Sequence, residues 1–420
     1  MINYSRLVYQ CKREIAMFCE KLGKGMKRPG YKHLCNMLYG MMENQSCHLT
    51  KIARALKEKI TLKKTVERLS ERLAGFTEVK RLRNNYMDTV MSSVDKNTLL
   101  LVDDSDVTKP CSQALEGLCK VHDGSTGEIR DGYPTLEITA LSTKHKMPIP
   151  VYSQLYSTKE ADFISQPNEV FKGLQYITEH FGRNGVRVMD RGYDGDEYFH
   201  YYFEHKEPFV IRCKKNRNVK YKNKVLNIMD LAARYKGKYS MNYTDKKGKV
   251  HACKIAIIPI QLPAFPDKAL NLVVVYGFGK EPMLLVSNMD YRDNRLALAI
   301  TKVYLMRWRI EEYYRFKKQQ FGFEDFRVRS LHAIRTLQLF VSMLIGLLGL
   351  LSEKADDSLF VAQLIDVSKR LFGVNNNKRF KFLYYALADA FFTILQKSIQ
   401  GFSAFLPSRP PVPSPQLSFF

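Results

Sequence analysis

Two short apolar runs, each followed at once by aspartate, constrain the fold of this 420-residue chain most. In NTLLLVDDSD, Asp103 follows an apolar run, and in GVRVMDRGYD, Asp190 does the same. Short apolar runs bounded by polar residues are typical of buried strands. Open α/β sheets place their functional groups at the carboxyl ends of strands. The sequence therefore predicts an α/β sheet with an aspartate at the end of each of two strands.

The segments around these runs predict a mixed α/β core over residues 97–213. TLEITALST and PIPVYSQLYS alternate as strands do, PNEVFKGLQYITEHFG has helical spacing, and PFVIRC has the composition of another strand. The resulting order is three strands, a helix, a strand, a helix and a strand. This order excludes an all-β sandwich.

The remaining segments predict helical regions on either side of the core and a β-rich insertion within it. Residues 214–293 contain VHACKIAIIPIQL, LNLVVVYGF and PMLLVSN between lysine-rich turns, which predicts the insertion. Helix resumes near Asn294, so residues 294–345 complete the core and residues 346–402 form C-terminal helices. The apolar run Leu337–Leu351 is 15 residues long, which is short for a bilayer span and typical of a buried helix. Residues 403–420 are rich in proline and serine, which predicts a disordered tail.

Residues 1–96 have the periodic apolar positions of a helical domain. Leu49, Ile52, Ala53 and Leu56 share one helical face, and Thr61 is placed to cap a following helix. The pair of helices is compatible with a DNA-binding helix-turn-helix and equally with a plain helical bundle.

The charge of the chain favours a polyanionic partner. Lysine and arginine number 66 against 42 aspartates and glutamates, which gives a net charge of +24 and a pI of about 9.5. Nucleic acid is the first partner to consider, although a generally basic surface would give the same numbers. The eight cysteines form no CxxC pair, and the first residues lack the apolar run of a signal peptide, so we expect reduced thiols and a cytosolic location.

Asp103 and Asp190 could together bind a divalent cation, although either one alone is more typical of a turn or helix cap. A third acid is available in YLMRWRIEEYYRFKKQ, from Tyr304 to Gln319. At about 100° per residue, Tyr304, Arg307, Glu311 and Lys318 fall within about 60° of one another on one helical face. A solvated helix with internal salt bridges would show the same pattern.

At these residues the sequence resembles the DDE transposases of the bacterial insertion-sequence-four type. Their signature is tyrosine, two residues, arginine, three residues, glutamate, six residues, lysine, and Tyr304, Arg307, Glu311 and Lys318 fit every spacing. The VMDRGYD context of Asp190 is also typical of that family. The resemblance covers roughly residues 97–345 and implies an RNase H-like core that is interrupted by the β-rich insertion.

The resemblance also implies roles for individual residues. Asp103, Asp190 and Glu311 would be catalytic and would bind two Mg²⁺ or Mn²⁺ ions, while Tyr304, Arg307 and Lys318 would bind DNA. Asp104 and Asp106 crowd the first position, so the choice between Asp103 and Asp104 stays open although Asp103 is favoured.

The implied function is a transposase that binds the terminal inverted repeats of an insertion sequence, cleaves DNA and transfers strands. Its partners would be double-stranded DNA, as transposon ends and as target, and a second copy of the chain in the DNA complex, with no membrane. Its implied location is the bacterial cytoplasm, on chromosomal DNA. Two alternatives remain, namely an RNase H-like nuclease without strand transfer and a non-catalytic DNA-binding protein.

Overall fold

The structure, a computed structural model, describes residues 3–124, 126–244, 248–290, 295–373 and 380–406. The chain divides into two compact units. We call them the helical unit (Met1–Ser93, Asp104–His180 and Glu312–Phe420) and the sheet unit (Val94–Asp103 and Phe181–Glu311). The expected mixed α/β class, with helical N- and C-terminal regions and a β-rich insertion, is confirmed. Most of the expected disordered tail, residues 407–420, lies outside the described residues.

Helices make up most of the helical unit. They are α1 (Tyr4–Leu22), α2 (Arg28–Asn44), α3 (Leu49–Leu56), α4 (Leu62–Ala74), α5 (Val79–Val90), α6 (Gln166–Phe181, which ends at the unit boundary), α11 (Leu331–Ser352), α12 (Leu359–Phe372) and α13 (Leu383–Leu395). The expected cap is present, because the Thr61 side chain accepts a hydrogen bond from the Lys64 amide at 3.4 Å and α4 begins at the next residue. Whether α3 and α4 bind DNA stays a prediction.

Helix α11 contains the apolar run that the sequence predicts to be a core helix, and this prediction is confirmed. Most of its side chains are buried, and Ser330 caps its first turn through the Ala333 amide at 3.2 Å. By length and composition alone α11 could cross a bilayer, yet 89% of its apolar window is buried within the protein. That burial is typical of a core helix, because a membrane span would present apolar side chains to lipid.

The helical unit also contains a small antiparallel sheet. It consists of β2 (Cys119–His122), β3 (Ile129–Leu141) and β4 (Pro148–Leu155), and β3 pairs with β2 through its first residues and with β4 through its last ones. Strand β2 is short and lies outside the apolar runs, so the sequence did not predict it. Strand β1 (Leu99–Thr108) is hydrogen bonded to β3 as well.

The continuation of β1 corrects one expectation. Asp103 was expected at the end of a strand, but β1 runs on to Thr108, and the Lys109 amide still donates to the Asp131 carbonyl oxygen at 2.7 Å. The reason is that β3 supplies hydrogen-bond partners to the polar half of the strand, and a strand ends only where its partners end. The fully buried part of β1 nevertheless ends at Val102, as the apolar run indicated.

The sheet unit is built on three parallel strands and an antiparallel extension. The first half of β1 pairs in parallel with β5 (Val186–Met189), which pairs in parallel with β6 (Phe209–Arg212). The other elements are α7 (Asp196–His205), β7 (Asn218–Tyr221), β8 (Lys224–Asn227), α8 (Ile228–Ala233), β9 (Tyr239–Thr244), β10 (Val250–Leu262), β11 (Phe265–Tyr276), β12 (Met283–Ser287) and α9 (Leu296–Leu305). Strand β12 is antiparallel to β6, and this pairing joins the insertion to the parallel strands.

The segment from Tyr304 to Gln319 is not one regular helix, which corrects a second expectation. Helix α9 ends at Leu305, α10 covers Trp308–Arg315, and a turn of π-helix covers Phe316–Gln320. Helix was also expected to resume near Asn294, a residue outside the described part, and α9 begins at Leu296. A wheel of about 100° per residue therefore does not hold over the whole segment, because tighter and wider turns rotate the chain by different angles.

Candidate active site

Two aspartates and an arginine lie side by side where the parallel strands of the sheet unit leave their buried part. Leu101 of β1 is opposite Val188 of β5, and Met189 is opposite Ile211 of β6. Continued by the same register, Asp103 falls beside Asp190, and Asp190 beside Arg212. The expected proximity of the two strand-following aspartates is thus built into the strand pairing.

Arg307 joins two of the candidate acids. Its guanidinium donates to the Asp103 carboxylate at 3.2 Å and to the Glu311 carboxylate at 2.8 Å. The Arg307 and Asp103 side chains are 17% and 16% exposed, whereas that of Glu311 is 44% exposed. The two carboxylates therefore converge on a single, mostly buried positive charge.

Asp190 acts on the same guanidinium electrostatically. Burial alone would lower the pKa of Arg307, but Asp103, Tyr304, Glu311 and Asp190 outweigh burial and raise it above the ordinary arginine value. All three candidate acids thus lie close enough to stabilise one cation. This shared effect on Arg307 is the main electrostatic feature of the site.

Asp190 also has the role of a cap. Its Oδ1 accepts a hydrogen bond from the Gly192 amide at 2.6 Å and caps the turn Arg191–Tyr193. A capping bond uses one carboxylate oxygen and leaves the second oxygen able to bind another group. Capping and a catalytic role are therefore compatible for this residue.

Tyr304 is buried beside these groups. Burial raises the pKa of its phenol, and nearby Arg307 and Arg212 act in the opposite sense. Arg212 therefore lies close to the Tyr304 phenol. Arg212 was not among the predicted site residues, although it follows FVI in the strand PFVIRC and so comes after an apolar run as Asp103 and Asp190 do.

The chain around Arg307 is wound more tightly than an α-helix. The Arg307 amide donates to the Tyr304 carbonyl oxygen, the Arg309 amide to that of Met306, and the Ile310 amide to that of Arg307, at 2.9–3.0 Å. Bonds between residues three apart are those of a 3₁₀ turn. Arg307 lies in this turn, four residues before Glu311 and close enough to pair with it.

Three further candidates lie in the helical unit. Lys318 forms ion pairs with Glu324 at 3.0 Å and with Asp106 at 3.6 Å. Asp104 accepts a hydrogen bond from the Gln166 amide nitrogen at 3.1 Å. Because side chains alternate along a strand, Asp104 and Asp106 point to the face of β1 opposite that of Asp103. Asp103 is therefore the aspartate of this strand that contacts Arg307.

A comparison with protein families covers the candidate residues from Asp190 onward. Residues 166–347 match the model of a family described as transposase DDE domain. By sequence, this segment resembles a transposase DDE domain. The DDE segment contains Asp190, Tyr304, Arg307, Glu311 and Lys318, whereas Asp103 precedes it. The match supports a DDE transposase, and the insertion-sequence-four type stays a prediction.

Comparisons of the whole chain with curated proteins and with solved structures give weaker results. No curated protein matches it in sequence. Among solved structures it resembles a cryo-EM structure of a piggyBac transposase synaptic complex with hairpin DNA, with 12% identity, a TM-score of 0.45, and coverage of 92% of this chain and 78% of that one. At that TM-score the two chains share too little geometry for residues to be equated between them.

A DDE domain implies divalent metal ions, and the acids of this chain fit them in kind. Carboxylate oxygens are the ligands that Mg²⁺ prefers, and Asp103 and Glu311 already converge on one cation. Over the described residues no group of three or more histidine, cysteine, aspartate or glutamate side chains is close enough to hold a metal ion. Asp103 and Glu311 are spaced to contact a guanidinium through hydrogen bonds of 2.8–3.2 Å. Mg²⁺–oxygen bonds are shorter, about 2.1 Å, so the acids would have to lie closer together to bind Mg²⁺. In this arrangement the Arg307 guanidinium occupies the place between Asp103 and Glu311, so the acids fit a metal ion in donor type and not in spacing.

The DDE segment also contributes to a buried polar cluster of the helical unit that the sequence did not reveal. Glu137 of β3 accepts hydrogen bonds from Lys317 at 2.6 Å, from Tyr313 and Gln338 at 2.9 Å each, and from Ser153 at 2.9 Å. The Lys317 and Glu137 side chains are 4% and 1% exposed. We call these five residues the Glu137 cluster. It fixes the π-helical turn that carries Lys318.

Proposed function

We propose that this chain is a DDE transposase that binds the terminal inverted repeats of an insertion sequence and catalyses DNA cleavage and strand transfer. The observation that carries the proposal is the contact of the Arg307 guanidinium with the carboxylates of Asp103 and Glu311, beside Asp190 of the neighbouring strand. An ordinary ion pair needs one acid, and the Asp103 and Arg307 side chains are mostly buried, so this pairing carries a desolvation cost that a surface pair would avoid. The family match over residues 166–347 supports the same reading.

In this proposal Asp103, Asp190 and Glu311 are the catalytic, metal-binding residues. The contact of Asp103 with Arg307, and of Asp104 with Gln166, supports Asp103 as the first of the three. Two Mg²⁺ or Mn²⁺ ions, when bound, would activate the attacking oxygen and stabilise the leaving oxygen of the phosphodiester. Carboxylates alone would repel the DNA phosphate. Metal ions held by the three acids would supply the positive charge that attracts it.

Tyr304, Arg307 and Lys318 are the proposed DNA-binding residues. The planar fork of Arg307 matches a phosphate as well as a carboxylate, so this side chain can exchange its acidic partners for DNA. Lys318 is paired with acids in the free protein and would bind phosphate as a point charge. Tyr304 would orient Arg307 and Arg212 at the cleaved bond.

The other parts of the proposal concern recognition and assembly. Residues 1–96 would read the end sequence, because contacts to phosphates carry little sequence information. Two copies would assemble on the DNA ends, with residues 346–402 at the interface, and the protein would act on chromosomal DNA in the bacterial cytoplasm.

The decisive experiment compares the natural protein with Glu311→Gln on labelled DNA that carries the element's own ends. We expect the natural protein to cut and join this DNA with Mg²⁺ and to do neither in EDTA. We expect Glu311→Gln to bind the DNA equally well and to lose cutting and joining by at least about a hundredfold. Glu204→Gln, an exposed acid of α7 in the sheet unit, is the matched control and should retain both activities.

Other outcomes point to the two alternatives. Cutting without joining would indicate a nuclease, and binding without cutting by the natural protein would indicate a non-catalytic DNA-binding protein. Unchanged cutting by Glu311→Gln would remove this residue from the site.

A further inference from the structure

A cleft of about 750 Å³ opens beside Asp190 in the sheet unit. One wall follows the end of β6, from Arg212 to Asn216, and the other is the turn between β11 and β12, from Phe278 to Leu284. The third side is Asp190–Gly192. The cleft therefore begins at a candidate catalytic residue and extends along the β-rich insertion.

The lining of the cleft is strongly basic. Five of its side chains carry a positive charge and two carry a negative charge. They are Arg191, Arg212, Lys214, Lys215 and Lys280, and Asp190 and Glu281. Glu281 forms an ion pair with Lys215. Over the described residues, Arg191, Arg212, Lys214 and Lys280 have no carboxylate within ion-pair distance, so their charges remain available to an anion.

Hydrogen bonds fix the backbone of the wall that carries Lys214. The Cys213 amide donates to the Leu284 carbonyl oxygen at 2.9 Å, which ties one wall to the other through β6 and β12. The Lys214 amide donates at 2.7 Å to the carboxylate of Asp194, which is only 3% exposed. Cations on a fixed backbone lose less conformational entropy when they bind a ligand than cations on a mobile loop.

We propose that this cleft binds the phosphates of a single DNA strand that continues from the bond cleaved at Asp190. The proposal rests on the function proposed above and adds a substrate-binding surface to the same site. A volume of about 750 Å³ is in the range that encloses a drug-sized ligand, which leaves room for one or two nucleotides and not for a duplex. Basic grooves that track a backbone are typical of single-strand binding.

The test measures binding in EDTA, where no cleavage should occur. A labelled duplex with a blunt end is compared with the same duplex carrying a short single-stranded tail, at the 3′ end or at the 5′ end. We expect the natural full-length protein to bind one of the tailed duplexes roughly tenfold more tightly than the blunt one, and this preference to weaken with added salt.

Two double variants with equal loss of charge decide the assignment. Lys214→Gln with Lys280→Gln removes two cations from the cleft, and Lys224→Gln with Lys236→Gln removes two exposed cations of the sheet unit outside it. We expect the first variant to lose the preference for the tail, with a salt slope lower by about one on tailed DNA, and the second variant to keep the preference.

The proposal would be overturned by no tail preference in the natural protein, by a preference unchanged in the cleft variant, or by an equal loss in both variants. An equal weakening of blunt and tailed DNA by the cleft variant would overturn it as well, because the cleft would then contact duplex. The proposed function fails separately. A tail preference that depends on Lys214 and Lys280, in a protein that neither cuts nor joins, would retain the cleft and reject the transposase.

Discussion

Arg307 is the residue on which the candidate site depends in the free protein. Its guanidinium contacts Asp103 and Glu311, and Asp190 adds to the field that raises its pKa. Without this cation, the acids would repel one another in a partly desolvated setting. Arg307 therefore stabilises the arrangement of acids in the free protein, a role that the proposed function gives to a divalent ion when DNA is bound.

Replacement of Arg307 by glutamine should lower the free energy of unfolding in EDTA by roughly 1–3 kcal/mol. Breaking a fully buried ion pair would cost more free energy than this, and the expected loss is smaller here because Glu311 is partly exposed. Mn²⁺ or Mg²⁺ should then stabilise the variant more than the natural protein, since the acids have no competing guanidinium. Urea unfolding with and without metal measures both effects.

Arg315→Gln is the control for this variant, because Arg315 pairs with Glu312 and is half exposed. We expect it to cost less than about 1 kcal/mol and to leave the metal effect unchanged. If metal stabilises Arg307→Gln no more than the natural protein, the acids do not share a cation site.

At this scale the sequence predicts positions better than contacts. Asp103 and Asp190 are placed together by the two apolar runs, because parallel strands fix which residues lie side by side. The pairing of Arg307 with Asp103 joins residues 204 positions apart in the chain, so no local pattern predicts it. Arg212 is the opposite case, because its position directly after an apolar run was a sequence signal that could have identified it.

Among the elements, the segment from Tyr304 to Gln320 differs most from its sequence pattern. It tightens around Arg307 and widens into a π-helical turn at Phe316–Gln320. A helical wheel assumes the same rotation at every residue. It fails here because the backbone hydrogen bonds join residues three apart near Arg307 and five apart in the π-helical turn. By contrast, β10 spans the run VHACKIAIIPIQL that predicts it, because burial in a long hairpin with β11 supports the alternation.

The Glu137 cluster accounts for the position of the π-helical turn, and Lys317→Met tests this. The change leaves the buried Glu137 carboxylate without its cation, so we expect a loss of roughly 3–5 kcal/mol in the free energy of unfolding. Adding Glu137→Gln should restore at least about half of that loss, because a neutral amide keeps an acceptor for Tyr313 and needs no cation. Urea unfolding of the single and double variants gives the coupling between the two sites.

Additive losses in this cycle would mean that Lys317 and Glu137 are not coupled, contrary to their contact. Lys318→Gln serves as the control in the same turn. Its ion pairs are partly exposed, so its loss should be below about 1 kcal/mol.

For the whole molecule, net charge is the property that composition determines and fold does not. A charge of +24 predicts attraction to any polyanion. The sheet unit concentrates part of this charge along one cleft, which the sequence could not show because Arg191, Lys214 and Lys280 are far apart in the chain. Recognition of particular DNA ends must add contacts to base edges, since charge alone does not distinguish sequences.

The salt dependence of binding to DNA of unrelated sequence tests the whole-molecule charge. If the protein neutralises six or more phosphates, the logarithm of the binding constant should fall with the logarithm of salt concentration with a slope of about −5 or steeper. Fluorescence anisotropy over a salt series measures this slope. A duplex of the same sequence with an uncharged backbone is the control and should bind with almost no salt dependence. A shallow slope on natural DNA would mean that most of the positive surface does not contact the nucleic acid, and the charge would then serve solubility.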